Sequence, residues 1–321
     1  MTSAETKPLG IQPRPPTKHS LGRRLKRTVS LYGWLYAFIL PGIILLFLFA
    51  YMPMVGLQVA FKDYVIYKPL SEAPWVGFQY FSFITDPVFW QSFNNTILIT
   101  FFRFLFGFPA PIILAILLNE LYNAPFRRLI QSLSYLPHFI SWIVVSYILY
   151  TFMQLDTGPL NMVLQYLGFE QTNFMGTQDY FRPIVIISAI WKELGWGAII
   201  YLAALSGIDP QLHEAAMMDG AGRLQRILHI NLPGIMPTVS IMLILALPGL
   251  LTAGYEQIYP LVNATNLGVS NVLDVYVIRL GLTQAQYSVA TAIGLALGIV
   301  NTLVVLGANW LAKRAGQTGF W

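Results

Sequence analysis

Six stretches of this chain run for about twenty residues with almost no charge, and that pattern leaves few folds open. They cover 31–55, 93–118, 129–152, 183–205, 235–253 and 289–311. Each is long enough to cross a bilayer as a helix, the form in which a single segment satisfies its own backbone in lipid. Composition agrees. Of 321 residues, 56% are hydrophobic and 10% charged, where a soluble chain carries roughly a quarter charged. Too few charges are left to cover a water-facing surface. The expected fold class is all-α, a polytopic membrane protein with six transmembrane helices spanning a domain at 31–312.

Lys and Arg set the orientation. Seven of the nineteen precede residue 30, Arg23, Arg24, Lys26 and Arg27 among them. Arg127, Arg128, Arg223, Arg226, Lys313 and Arg314 fall on the same side of the alternating spans, whereas the opposite loops hold Lys62, Lys68 and Arg279. By the positive-inside rule both termini are cytoplasmic. Residues 1–30, with Pro8, Pro13, Pro15 and Pro16, are expected to be a disordered basic cytoplasmic tail. Residues 313–321 form a short cytoplasmic tail, and the first span is expected to be an uncleaved anchor. The basic cluster reads as a topology signal, not a nucleic-acid site. In the outer loops, 161–168 and 272–280 are expected to form short surface helices.

Several chemistries are excluded. There is no cysteine, so no disulfide, thiolate metal site or cysteine nucleophile. No phosphate-cradling G-x-x-x-x-G-K-[ST] occurs, nor H-E-x-x-H, nor G-x-S-x-G. The histidines, His19, His138, His213 and His229, are scattered. No catalytic residue, metal site or bound cofactor is expected.

The polar loop at 206–234 carries a spaced pattern: Glu214-Ala215-Ala216, three residues, Gly220, nine residues, Ile230, one residue, Leu232-Pro233. Asp209 before Pro210 suits a helix start. That helix is expected to end near Met218 and Asp219, turning at Gly220. A second short helix bearing Leu224, Ile227 and Leu228 is expected to stop at Pro233. Two short helices meeting at glycine make a bent knob. The plainer alternative is an amphipathic loop lying on the bilayer.

This pattern resembles the EAA loop of type I ABC-importer permeases. Phe93-Asn94-Asn95-Thr96, Leu118-Asn119-Glu120-Leu121, Tyr135-Leu136-Pro137-His138-Phe139-Ile140-Ser141, Glu256-Gln257-Ile258 and Leu273-Asp274-Val275-Tyr276 extend the likeness to the carbohydrate-importing members. Within these it is similar to a permease subunit of a bacterial alginate importer. The resemblance implies a subunit of the bacterial inner membrane that imports oligosaccharide or polysaccharide. It implies a second homologous permease, a dimer of cytoplasmic ATPases holding ATP and Mg, and an extracytoplasmic solute-binding protein. Glu214, Ala215, Ala216, Met218, Asp219, Gly220, Leu232 and Pro233 are then the ATPase-coupling residues.

Ionisable groups at membrane depth are costly and face a partner or a watery path. Arg103, Lys192 and Glu193 lie inside spans, with Trp191 beside the latter two. Tyr255, Glu256 and Gln257 follow the fifth span. Two readings fit: a saccharide path of aromatic faces and hydrogen-bonding groups, or interhelical pairing, such as Arg103 with a carboxylate. Pro137, Pro237 and Pro248 are either hinges or static kinks. A different class, an ion-gradient-driven secondary transporter, is expected to show inverted repeats, and none is visible. An intramembrane enzyme has only Lys192-Glu193 in its favour.

Overall fold

The computed structural model describes residues 21–314. The expected tail at 1–20 and the last residues, 315–321, lie outside the described residues. Those described are helical, with one isolated bridge between Lys62 and Trp75 and no strand. Five helices among them are long and apolar enough to cross a membrane, and a bent pair makes a sixth span.

The chain divides into two compact units, the first ending at Leu57. Its helix α1, Leu21–Leu46, starts nine residues ahead of the expected tail boundary. After Pro16 nothing in the sequence up to Ser30 breaks a helix, so it begins early. The α-ladder then loosens into a π-turn at Phe47–Tyr51, next to Pro53, which lacks an N–H and crowds the carbonyl four residues back.

The second unit begins at Gln58. Asp86 caps α2, Pro87–Gly107, by accepting from Val88 N–H at 2.9 Å. After Phe108, α3, Pro109–Asn119, continues the same span. Asn123 caps α4, Ala124–Tyr135. The third span was expected to be straight, but α4 and α5, Trp142–Phe152, meet at 102°. The reason is local. Pro137 tightens Leu136–Phe139 into a 3₁₀ turn, Ile140 is extended, and Ser141 starts a new helix by accepting from Val144 N–H. Beyond α6, Pro159–Tyr166, Gly168 turns the chain at φ +85°.

The central column is α7, Gln178–Ser206, which packs on α2, α3, α4 and the fifth span. Gly195 lets α4 approach so closely that a β-carbon there would overlap the Ser134 backbone. After α8, Pro210–Met218, and α9, Arg223–Arg226, the chain does not stop at Pro233. A π-turn at Ile227–Asn231 leads straight into α10, Leu232–Ala246, and the rod runs from Arg223 to Leu251. Pro233 sits in the first turn of α10, and the wider π-turn before it absorbs the missing donor.

Short helices follow: α11, Tyr255–Ile258, α12, Leu267–Ser270, and α13, Leu273–Ile278. Helix α14, Tyr287–Arg314, is the last span. The surface helix expected over 272–280 is instead buried. Val272, Leu273 and Val275 are fully enclosed and contribute to two hydrophobic clusters, one with Ile99, Val185 and Ile258, the other with Phe83, Phe89 and Ile293. Apolar residues on both faces of α13 dictate this. Leu273 N–H donates to Thr96 Oγ1 at 2.8 Å, and Tyr276 O–H donates to Asp86 at 2.7 Å, so α13 is tied to the start of α2. A third cluster, around Ala115, Ala198, Tyr201 and Ile235, joins α3, α7 and α10 toward the 206–234 loop.

Candidate functional site: an exposed knob and a cavity between spans

The 206–234 segment forms the knob. Asp209 accepts from Gln211 N–H at 2.9 Å, and Pro210 opens α8. At its end Gly220 N–H donates to Met217 O at 3.1 Å and Ala221 N–H to Ala216 O at 2.9 Å. With Gly220 at φ +77°, this is a Schellman stop, which only a residue free of a β-carbon adopts without strain. Gln225 Oε1 then accepts from Gly222 N–H at 2.7 Å and starts the rod. Glu214, Ala215, Met218, Asp219 and Gly220 are exposed, with Met218 at 88%. Ala216 is half-buried, facing a cleft with Arg226 and His229. Leu232 is half-buried and Pro233 exposed where the rod enters the bundle.

Residues outside the E-A-A spacing hold the knob in place. A β-carbon at Gly234 would stand 2.7 Å from Ile208 Cδ1, so the two strands of the loop touch at its base. Asn231 is fully buried and donates to Glu120 at 3.4 Å, and the Arg223 guanidinium lies over the Tyr122 ring at 4.9 Å. Both Glu120 and Tyr122 lie in the short α3–α4 connection. Nothing in sequence spacing links positions more than a hundred residues apart, although Glu120 lies in one of the family-like segments.

The second feature is a cavity of about 450 Å³ between α2, α5, α7 and the end of the fifth span. Arg103 and Glu193 line it, with Thr100, Phe104, Trp142 and Thr252. Arg103 does not pair with a carboxylate. Its Nη1 donates to Ala253 O at 2.8 Å and its Nη2 to Gln257 Oε1 at 2.9 Å. Gln257 is buried behind this wall and donates to Val185 O and Ser188 Oγ. Asp274 accepts from Gly254 N–H at 2.9 Å and holds the turn that presents Ala253.

The other candidates lie elsewhere. Lys192 is buried, donates to His138 O at 2.6 Å, and stands 5.2 Å from the Trp142 ring centre. Glu193 meets His138 Nδ1 at 3.0 Å and Lys192 Nζ at 3.9 Å, while the His138 ring stacks on Trp196 at 4.4 Å. This cluster clamps the break in the third span onto α7. Trp191 is exposed on another face of α7. Tyr255 stacks with Tyr259 at 4.8 Å, and Glu256 is exposed. No group of three or more metal-ligating side chains occurs among the described residues.

A helical, multi-pass bundle with an exposed knob on one loop defines a membrane permease subunit. The chain belongs to the binding-protein-dependent transport system inner membrane components, a family matched over residues 107–317. It is 43% identical to Protein LplB of Bacillus subtilis strain 168 over 90% of this chain and 91% of that protein. It is 42% identical to the polygalacturonan/rhamnogalacturonan transport system permease protein YteP of the same strain, covering 90% of each. A crystal structure of a bacterial alginate ABC transporter in complex with an alginate pentasaccharide-bound periplasmic protein is also similar. It is 39% identical, with a TM-score of 0.85, over 92% of this chain and 99% of that one. Family and fold place the chain as a type I ABC-importer permease, a transport component of the inner membrane.

Proposed function

We propose that this permease is one of two related subunits that pass oligosaccharides or polysaccharide inward, driven by a dimer of cytoplasmic ATPases that hold ATP and Mg. Relatives named for polygalacturonan and alginate support a saccharide cargo, and an alginate-type chain fits that company. The structure of the alginate transporter with its periplasmic protein supports delivery by a solute-binding protein. The Lys and Arg bias supports cytoplasmic termini, and with them a cytoplasmic knob.

The observation that carries coupling is the construction of the knob. Its tip exposes Leu212, Met217 and Met218 beside Glu214 and Asp219, which suits a groove on a partner protein. Its stop at Gly220 and its continuity with the rod from Arg223 to Leu251 make it stiff. A push on α8 is then transmitted as a rigid-body movement of the fifth span against α7, which switches the cavity between the two sides. Glu214→Lys and Gly220→Trp variants are expected to insert normally and to lose both ATPase co-purification and uptake. Normal uptake by both variants refutes the coupling role. Uptake that survives ATP depletion with the ion gradient intact would favour a secondary transporter.

A further inference from the structure

Arg103 is a cation at membrane depth that touches no carboxylate. Of its donors, Nη1 and Nη2 each make one bond, to Ala253 O and Gln257 Oε1, and Nε is buried with no partner. A guanidinium taken from water without a counter-ion is strongly disfavoured unless an anion completes it. Asp274 sits behind the 253–254 turn with its carboxylate on Gly254 N–H, and it forms no ion pair with Arg103. Glu193, on the same cavity, is engaged by His138 and lies 3.9 Å from Lys192. Lys192 itself is turned away, onto His138 O. The uncompensated charge of the cavity wall is therefore that of Arg103.

We infer that Arg103 is a binding group for the carboxylates of an acidic saccharide, and that the cavity it lines is a uronate site. The inference rests on the saccharide-import reading above. The cavity volume is that of a pocket for a small ligand. A planar guanidinium with unused N–H groups matches a carboxylate in charge and geometry. Phe104 and Trp142 supply flat apolar faces for the sugar rings. Ala253 O and Gln257 orient the guanidinium without neutralising it.

The test uses the complete transporter in proteoliposomes, with trigalacturonate as the probe. Thr252 is exposed on the cavity wall and is no part of the Arg103 clamp. Thr252→Asp adds a competing carboxylate there, and Thr252→Asn is its neutral match. Thr252→Asp is expected to lower uptake by about tenfold and Thr252→Asn to leave it within about twofold, with equal assembly and equal ATPase activity. Equal uptake by the two overturns the inference. Arg103→Lys is expected to keep a measurable fraction of uptake that Arg103→Gln loses, with stimulation of the ATPase by loaded binding protein retained in both. Loss of that stimulation in both variants assigns Arg103 to structure alone and overturns the site. Wild-type transporter that imports a neutral trisaccharide and not trigalacturonate overturns the uronate site and leaves the import function standing. Failure to import any saccharide overturns the functional reading itself.

Discussion

Gly195 on α7 and Ser134 on α4 pack backbone to backbone: a β-carbon on Gly195 would overlap the Ser134 carbonyl and stand 2.8 Å from its Cβ. This contact seats the first half of the broken third span against the central column. Gly195→Ala is expected to cost about 1–3 kcal/mol through overpacking, read as a lower melting temperature in detergent. Gly298→Ala, with nothing within 4 Å of the added carbon, is the control. It is expected to gain roughly 0.5–1 kcal/mol as a mid-helix glycine replacement. A Gly195 variant as stable as the Gly298 one refutes the close contact.

The knob's shape depends on its two ends. Gly220→Ala meets no neighbour, so its cost is the left-handed backbone alone, roughly 1–2 kcal/mol. Asp209→Ala removes the helix cap, at about 1 kcal/mol. Both variants are expected to speed tryptic cleavage at Arg223 and Arg226 without changing membrane insertion. Unchanged cleavage in both would show that the knob needs neither end.

Asn231 and Glu120 couple the base of the knob to the α3–α4 connection. Glu120→Ala leaves the buried Asn231 amide without its side-chain partner, a cost of about 1–3 kcal/mol. In a double-mutant cycle with Asn231→Ala the two changes are expected to be non-additive by at least about 0.5 kcal/mol. Additive losses mean the pair does not interact.

Gln257 holds three elements at once, accepting from Arg103 and donating to Val185 O and Ser188 Oγ. Gln257→Leu orphans those groups and is expected to destabilise by at least about 2 kcal/mol. Glu256→Ala, at the exposed neighbour, is expected to stay within about 0.5 kcal/mol. Thermal melts of the two variants side by side decide it.

The knob was largely legible because its signals are local. Asp209 before Pro210 starts α8 and Gly220 ends it, both through bonds within a few residues. The stop expected at Pro233 was wrong, because proline in a first helical turn is compatible with a helix that a preceding π-turn has already widened. The cavity was half legible. Arg103 and Glu193 stand out as charges inside spans, whereas Gln257 and Asp274 draw their roles from elements far away in sequence.

What the sequence by itself determined is whatever depends on hydropathy and nearest neighbours: an all-helical membrane chain, six spans, and a capped helix with a glycine stop between the fourth and fifth. Lipid imposes this, since every backbone group within the bilayer must be satisfied inside its own segment. Only the tertiary structure decided the 102° bend at the third span, the burial of α13 and the partner of Arg103. Each of these turns on which surfaces meet across the bundle. Hydropathy says that a segment leaves water, and packing alone says what it meets there.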